Sequence, residues 1–102
     1  MRRATEAAWS ETVRALARTT GWACYHTRDS RGSAPGWPDL VLLKPPRCLF
    51  RELKVSPRGR PTHAQRAWVD GLLACGLDAA VWTLPDDWGC VVETLTRRTS
   101  AP

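Results

Sequence analysis

The sequence lacks the features that identify several classes of protein. Its four cysteines, Cys24, Cys48, Cys75 and Cys90, form no C-x-x-C pair, and together with only two histidines they show no zinc-site spacing. No apolar run is long enough to span a bilayer, and the sequence contains no signal-peptide or lipidation pattern. We therefore expect reduced cysteines in the core and a cytoplasmic location, and we expect neither a zinc site nor a membrane span.

The chain carries an excess of positive charge. Fifteen Lys and Arg residues against ten Asp and Glu residues give a net charge of +5 and a pI near 9.6. This balance favours a polyanionic partner such as nucleic acid, although many small basic domains bind nothing acidic.

The order of the predicted elements indicates one α/β domain over residues 1–102, with a mixed sheet flanked by helices. The two strands of a hairpin are apolar on both faces, as in central strands that helices cover, and the strand, helix and strand that end the sheet predict a parallel crossover. The predicted elements are a helix over Thr5–Thr20 before Gly21, a strand over Trp22–His26, hairpin strands over Leu40–Leu43 and Cys48–Val55, a helix from Thr62 to Gly76, a strand over Leu77–Leu84, and a short helix capped by Asp86 or Asp87 that ends near Leu95. The tail from about Thr96 is expected to be frayed.

Three charged residues stand out in the hairpin sequence GWPDLVLLKPPRCLFRELK. A symmetric turn at KPPR pairs Leu43 with Cys48, and the same register places Asp39 opposite Glu52, with Cβ atoms about 5 Å apart. Lys54 lies on the same face as Glu52 because side chains alternate along a strand. The sequence therefore predicts that two carboxylates and an ammonium group converge in an apolar setting.

This cluster is of the kind that supports metal-dependent phosphodiester hydrolysis. Two neighbouring carboxylates are costly in a dry site unless a cation lies between them, and oxygen ligands without His or Cys suit Mg²⁺ or Mn²⁺. Such an ion activates a water molecule, and Lys54 is placed to orient it and to stabilise charge on the phosphorus. The alternative is structural: Asp39 begins a strand after Pro38, and Glu52 pairs with Lys54 on a solvated face.

The motifs GWPDLVLL, FRELK, THAQRAWVDGLLACG and AAVWTLPDD, in this order, resemble the PD-(D/E)XK nuclease superfamily, and specifically small stand-alone VRR-NUC domains of phages and bacteria. The resemblance spans roughly residues 5–87. It implies a restriction-endonuclease-like αβββαβ core. It also implies that Asp39, Glu52 and the backbone carbonyl of Leu53 bind the metal and that Lys54 is the catalytic lysine.

The same resemblance implies an acid on the first helix, for which the sequence offers Glu6 and Glu11. Around an ideal helix, Glu6 lies about 60° from Trp9, on the margin of the apolar stripe, whereas Glu11 lies about 200° away and faces solvent. We therefore assign Glu6, although an acid in the first turn is also favoured by the helix dipole alone. Relatives often carry Gln near Ser10 or Thr12, and this sequence does not.

Further polar residues match the pattern less specifically. The resemblance implies a catalytic Gln65, but Thr62 and Gln65 also fit a capping box, and both readings stay open. Residues expected to contact DNA or phosphate are His26, Arg28, Arg31, Arg58 and Arg60. His26 could equally be an edge-strand residue without a task, and such arginines are usually just solvated.

The resemblance implies a function as well. Relatives of this kind are similar to Holliday-junction resolvases, which act as homodimers on branched DNA with Mg²⁺ or Mn²⁺. The expected function is therefore that of a metal-dependent, structure-selective endodeoxyribonuclease, with Gly89–Val92 and some of the six tryptophans available for a dimer interface. The alternative is a catalytically silent DNA-binding or assembly module that has kept the fold.

Overall fold

The computed structural model describes residues 4–27 and 34–98. Three helices and four strands follow one another as α1 (Glu6–Thr19), β1 (Ala23–His26), β2 (Leu40–Lys44), β3 (Arg47–Val55), α2 (His63–Ala74), β4 (Asp78–Leu84) and α3 (Trp88–Thr96). The sheet order is β1-β2-β3-β4, antiparallel except for the parallel pair of β3 and β4. The predicted mixed sheet with flanking helices is confirmed. No helix in these two ranges is long and apolar enough to cross a membrane.

The hairpin register agrees with the sequence prediction. Leu43 pairs with Cys48, and the ladder continues to the pair of Leu40 and Arg51. Continued by one residue, this register places Asp39 opposite Glu52, as the symmetric turn predicted.

The sheet is covered on both faces. On one face, Val13 and Ala17 of α1 and Val91 of α3 form a buried core with leucines of the central strands, among them Leu49. Phe50 points to the other face because side chains alternate, and there Trp37 packs edge-on between Phe50 and Trp68 of α2. Trp82 and Trp22 are buried in this core.

Of two helix ends, one agrees with the sequence prediction and the other does not. Gly21 follows α1 with a φ of +94°, a conformation that glycine adopts without strain, as expected of a C-terminal cap. At the start of α3, however, the Asp87 side chain does not cap the helix; it accepts a hydrogen bond from the amide of Thr83 at 2.7 Å. Asp87 therefore ties the turn to β4.

The cysteines and the chain end also correct the prediction. All four cysteines are free, but Cys75 and Cys90 are exposed, and only Cys24 and Cys48 are partly buried. The helix α3 continues to Thr96, where the frayed tail was expected to begin, and residues 99–102 lie outside the described ranges.

Candidate active site

The site begins where the pairing of β2 with β3 ends. Strand β2 starts at Leu40, but β3 continues to Val55, so the amide of Leu53 has no partner on β2. The carboxylate of Asp39 takes that place, because its Oδ2 accepts a hydrogen bond from the Leu53 amide at 2.8 Å. The backbone carbonyl of Asp39 in turn accepts from the amide of Thr27 at 2.9 Å. Asp39 is therefore fixed at the junction of three strands.

Glu52 is buried without a hydrogen-bond partner. Its relative exposure is 1%, and neither carboxylate oxygen has a hydrogen bond within the described part of the chain. Its nearest opposite charge is the Lys54 Nζ, 3.4 Å from Oε2. Burial, then the negative charge of Asp39 and the close approach of its carboxylate, raise the pKa of Glu52 to about 8 against the opposing effects of Lys54. The predicted convergence of Asp39, Glu52 and Lys54 is thus what the structure displays.

Glu6 borders the same site from α1. Partial burial raises the pKa of Glu6; the charge of Lys54 lowers it and that of Asp39 raises it, so the carboxylate lies within electrostatic range of both. Glu6, Asp39 and Leu53 line a cleft of 310 Å³, called the acidic cleft below.

Glu11 borders the acidic cleft too, which the helical phase did not predict. Its side chain is 73% exposed and lies 3.6 Å from Arg14 in an ion pair. Both acids of α1 are therefore solvent-accessible, and Glu6 differs in its electrostatic contact with Lys54 and Asp39.

Three further polar residues line the acidic cleft. His26, the last residue of β1, pairs with Leu40 and borders the cleft, and its contact with DNA stays a prediction. Ser10 and Arg14 were not predicted; Ser10 is buried, and its hydroxyl accepts a hydrogen bond from Arg14 Nε at 3.2 Å. The spacing of Glu6, Ser10 and Arg14, four residues apart on one helix face, was the available signal.

Gln65 forms the capping box that the sequence allowed. Its Oε1 accepts from the amide of Thr62 at 2.8 Å, and its own amide donates to the Thr62 hydroxyl at 3.1 Å. The carbonyl end of this side chain is thus engaged in the helix cap, which leaves its NH₂ group for any catalytic contact.

Two of the four predicted arginines fall in the described part of the chain. Arg58 and Arg60 are exposed in the loop after β3, and the Arg60 guanidinium donates to two backbone carbonyls of that loop. Arg28 and Arg31 lie outside the described residues.

Two glycines that the sequence analysis overlooked position these loops. Gly36 has a φ of +86°, and a Cβ there would lie 2.5 Å from the carbonyl carbon of Ala64 in α2. A Cβ on Gly59 would lie 2.6 Å from the carbonyl oxygen of Val55. Glycine therefore lets the segment before Asp39 contact α2 and lets the arginine loop fold against β3.

The donor set fits a hard divalent cation that retains water. No cluster of three or more His, Cys, Asp or Glu side chains suited to a metal occurs among residues 4–27 and 34–98. Mg²⁺, however, commonly uses one or two carboxylates and completes its shell with water and substrate oxygens. Asp39 and Glu52, with the unpartnered oxygens of Glu52, supply that minimum.

Comparison with known proteins supports the fold. No family model matches the sequence, and no curated protein matches it. A solved structure described as a VRR_NUC domain protein is similar, with a TM-score of 0.65 and 19% identity, covering 93% of this chain and 90% of that chain. At this identity the likeness bears on the fold alone. The chain has an α/β, restriction-endonuclease-like fold, as the sequence predicted.

Proposed function

We propose that this protein is a metal-dependent endodeoxyribonuclease that hydrolyses phosphodiester bonds. The observation that carries the proposal is the buried carboxylate of Glu52, which has no hydrogen-bond partner in the described chain and lies beside Asp39 and Lys54. Such a group is costly to bury unless it binds something positively charged. A divalent cation accounts for it.

The proposed metal ligands are Asp39, Glu52 and the backbone carbonyl of Leu53. Bound there, Mg²⁺ or Mn²⁺ would polarise the phosphate and lower the pKa of a bound water. Asp39 is already oriented by its hydrogen bond to the Leu53 amide, so its carboxylate needs little rearrangement to act.

Lys54 and Glu6 are the proposed assisting groups. The Lys54 ammonium, next to Glu52, can donate hydrogen bonds to the attacking water and to the phosphate oxygens that gain negative charge. Glu6, at the mouth of the acidic cleft, can accept a proton or orient a water. Gln65 can assist only through its NH₂ group while the capping box is intact.

The expected partner is DNA. The net charge of +5 favours a polyanion, and the exposed Arg58 and Arg60, with His26 at the cleft, provide contacts for phosphates. The proposal includes Arg28 and Arg31, which lie outside the described residues.

Branched DNA such as a four-way junction is the proposed substrate, and a homodimer the proposed assembly. Each chain carries one candidate site, and a junction is resolved by two symmetric cuts, which a two-fold dimer supplies. Of the proposed interface residues, Gly89 and Cys90 are exposed, whereas Val91 is fully buried in the core and is available only for packing within the chain.

The test is a cleavage assay on labelled duplex, flap and four-way junction DNA with Mg²⁺, Mn²⁺ or EDTA. We expect metal-dependent, paired cuts in junctions and poor cleavage of linear duplex. The molar mass measured by light scattering should be twice that of one chain. Binding without cleavage in either metal would favour the silent DNA-binding module. A monomer that nicks duplex as fast as junctions would remove the dimer and the junction specificity and leave a generic nuclease.

A further inference from the structure

A second cavity, of 640 Å³, adjoins the strand that carries Lys54. It is bounded by the end of β3 and its following turn, by the end of β4 and its following turn, and by the beginning of α1. Val55, the residue after Lys54, is part of its wall. Because β3 and β4 are parallel, their carboxyl ends open at the same edge of the sheet, beside the candidate active site. We call this space the Trp9 cavity.

Trp9 gives the cavity an aromatic wall. Its indole is half-buried and packs against Trp88, with ring centroids 5.7 Å apart and planes inclined by 46°. Trp88 thus braces Trp9 while part of Trp9 borders the cavity. Glu6 precedes Trp9 by three residues, so a single turn of α1 contributes to both the acidic cleft and the Trp9 cavity. Aromatic faces braced in this way stack nucleobases of any sequence.

The polar groups of the cavity suit a nucleotide. Arg60 Nη1 donates to the carbonyls of Pro57 and Gly59, at 2.9 Å each, which holds the guanidinium in place. Its other N–H groups have no hydrogen-bond partner among the residues that the structure describes, and a phosphate would accept from them. Also in the wall, the Ser56 hydroxyl donates to Asp86 Oδ1 at 3.0 Å, and this pair offers hydrogen bonds to a base edge.

We infer that the Trp9 cavity binds one unpaired nucleobase of the substrate strand, stacked on Trp9, next to the bond that is cut and with a neighbouring phosphate at Arg60. This inference rests on the proposed nuclease function and defines its substrate class: DNA in which a nucleotide can leave the stack, as at a branch or flap. Intact duplex must first unpair a base, and it therefore binds more weakly.

The test scans the substrate rather than the protein. A flap substrate has its branch at a known position along the DNA, and cleavage by the wild-type protein locates the bond that is cut. Glu52→Gln protein, which retains the Trp9 cavity, is then titrated by fluorescence anisotropy against flaps that carry one abasic site at successive positions. Loss of the stacked base should weaken binding about tenfold at one position near the cut and less than about twofold elsewhere.

Protein variants sharpen the assignment. In the Glu52→Gln background, Trp9→Leu should abolish the dependence on the abasic position, while Arg60→Ala should weaken binding at every position. Trp68→Leu, at a half-buried tryptophan of α2 outside this cavity, is the matched control and should keep the pattern. The abasic scan itself requires no change at Trp9, so it stands even if Trp9→Leu fails to fold.

The outcomes separate the two proposals. A flat scan with active wild-type protein overturns the base-binding cavity and leaves the nuclease intact. A wild type that cuts no DNA overturns the nuclease, and the binding scan still decides the cavity: one sensitive position supports it and a flat profile removes it. Absence of binding to every substrate overturns both.

Discussion

Two adjacent residues of β3, Arg51 and Glu52, both bury an ionisable side chain, and their surroundings differ. Arg51 is 4% exposed, and its guanidinium donates to Asp78 Oδ1 at 2.8 Å and to the carbonyls of Asp78 and Phe50. It also lies 4.8 Å from the ring centroid of Trp82, and only its Nε is without a partner in the described chain. Arg51 thereby joins β3 to β4.

Glu52 has no comparable set of partners. Both of its oxygens lack hydrogen bonds in the described ranges, Asp39 repels it, and Lys54 at 3.4 Å offsets that repulsion only in part. A buried charge destabilises a fold unless it is paired. The protein itself supplies partners to Arg51, whereas the one opposite charge beside Glu52 in the described ranges is Lys54. We therefore treat Arg51 as structural, and the proposal assigns Glu52 to the metal.

The largest expected effect is the loss of cleavage when either carboxylate of the candidate site is replaced. Glu52→Gln and Asp39→Asn should each slow cleavage of junction DNA more than about 100-fold while DNA binding changes little, because each removes a proposed metal ligand and leaves the basic surface intact. Asn at position 39 still offers an oxygen to the Leu53 amide, so the fold should survive. Single-turnover cleavage and anisotropy measure the two effects.

The control for that comparison is Asp78→Asn. It removes the anion that faces Arg51, so the free energy of unfolding should fall by about 1 kcal/mol while the cleavage rate stays near that of the wild type. A Glu52→Gln protein that cleaves normally would refute the division between the two charges.

A somewhat smaller loss is expected at Lys54. Lys54→Met keeps most of the aliphatic stem and removes the charge, and cleavage should slow about 100-fold because charge on the phosphate is no longer stabilised. Lys44→Met is the matched control, since the Lys44 ammonium donates to the carbonyl of Thr20 and Lys44 lies at the turn end of the hairpin, away from Asp39. Equal cleavage rates for the two variants would show that Lys54 has no catalytic role.

The two acids of α1 provide a smaller contrast. Glu6→Gln should slow cleavage about tenfold, and Glu11→Gln by less than about twofold, because only Glu6 interacts with Lys54 and Asp39. Initial rates at saturating Mg²⁺ test this. The opposite order would transfer the helix acid's role to Glu11.

A further expected effect, on stability rather than on cleavage, is a pH dependence in EDTA. The native state holds the Glu52 proton up to a pKa of about 8, while the unfolded chain releases it near 4.5, so the native state binds more protons in between. The free energy of unfolding of the wild type should therefore fall, relative to that of Glu52→Gln, as pH rises from 4.5 to about 8. Denaturant titrations at several pH values measure this difference. If the free energy of unfolding depends on pH equally in the wild type and in Glu52→Gln, the burial of the Glu52 carboxyl group is contradicted.

The sequence predicted what local patterns determine. The turn at KPPR and the alternation of side chains were enough to place Asp39 opposite Glu52, because the register of a short hairpin follows from its turn. The capping box at Thr62 and Gln65 was visible for the same reason. Both depend on residues within a few positions of one another.

Contacts between distant segments could not be read in this way. The approach of Gly36 to Ala64, the position of Glu11 at the cleft and the Trp9 cavity depend on how α1, α2 and the sheet edge pack together. The sequence offered Asp86 or Asp87 as the cap of α3. In the turn after β4, the Asp87 carboxylate instead accepts a hydrogen bond from the amide of Thr83. The exposure of Cys75 followed from the end of α2 lying at the surface.

Calorimetric titration with Mn²⁺ in the absence of DNA tests the central claim most directly. The account predicts one ion per chain for the wild type and for Asp78→Asn, and affinity at least about tenfold weaker for Glu52→Gln. Wild-type protein that binds no ion, or Glu52→Gln that binds it as tightly as wild type, would contradict the assignment of Glu52 as a metal ligand.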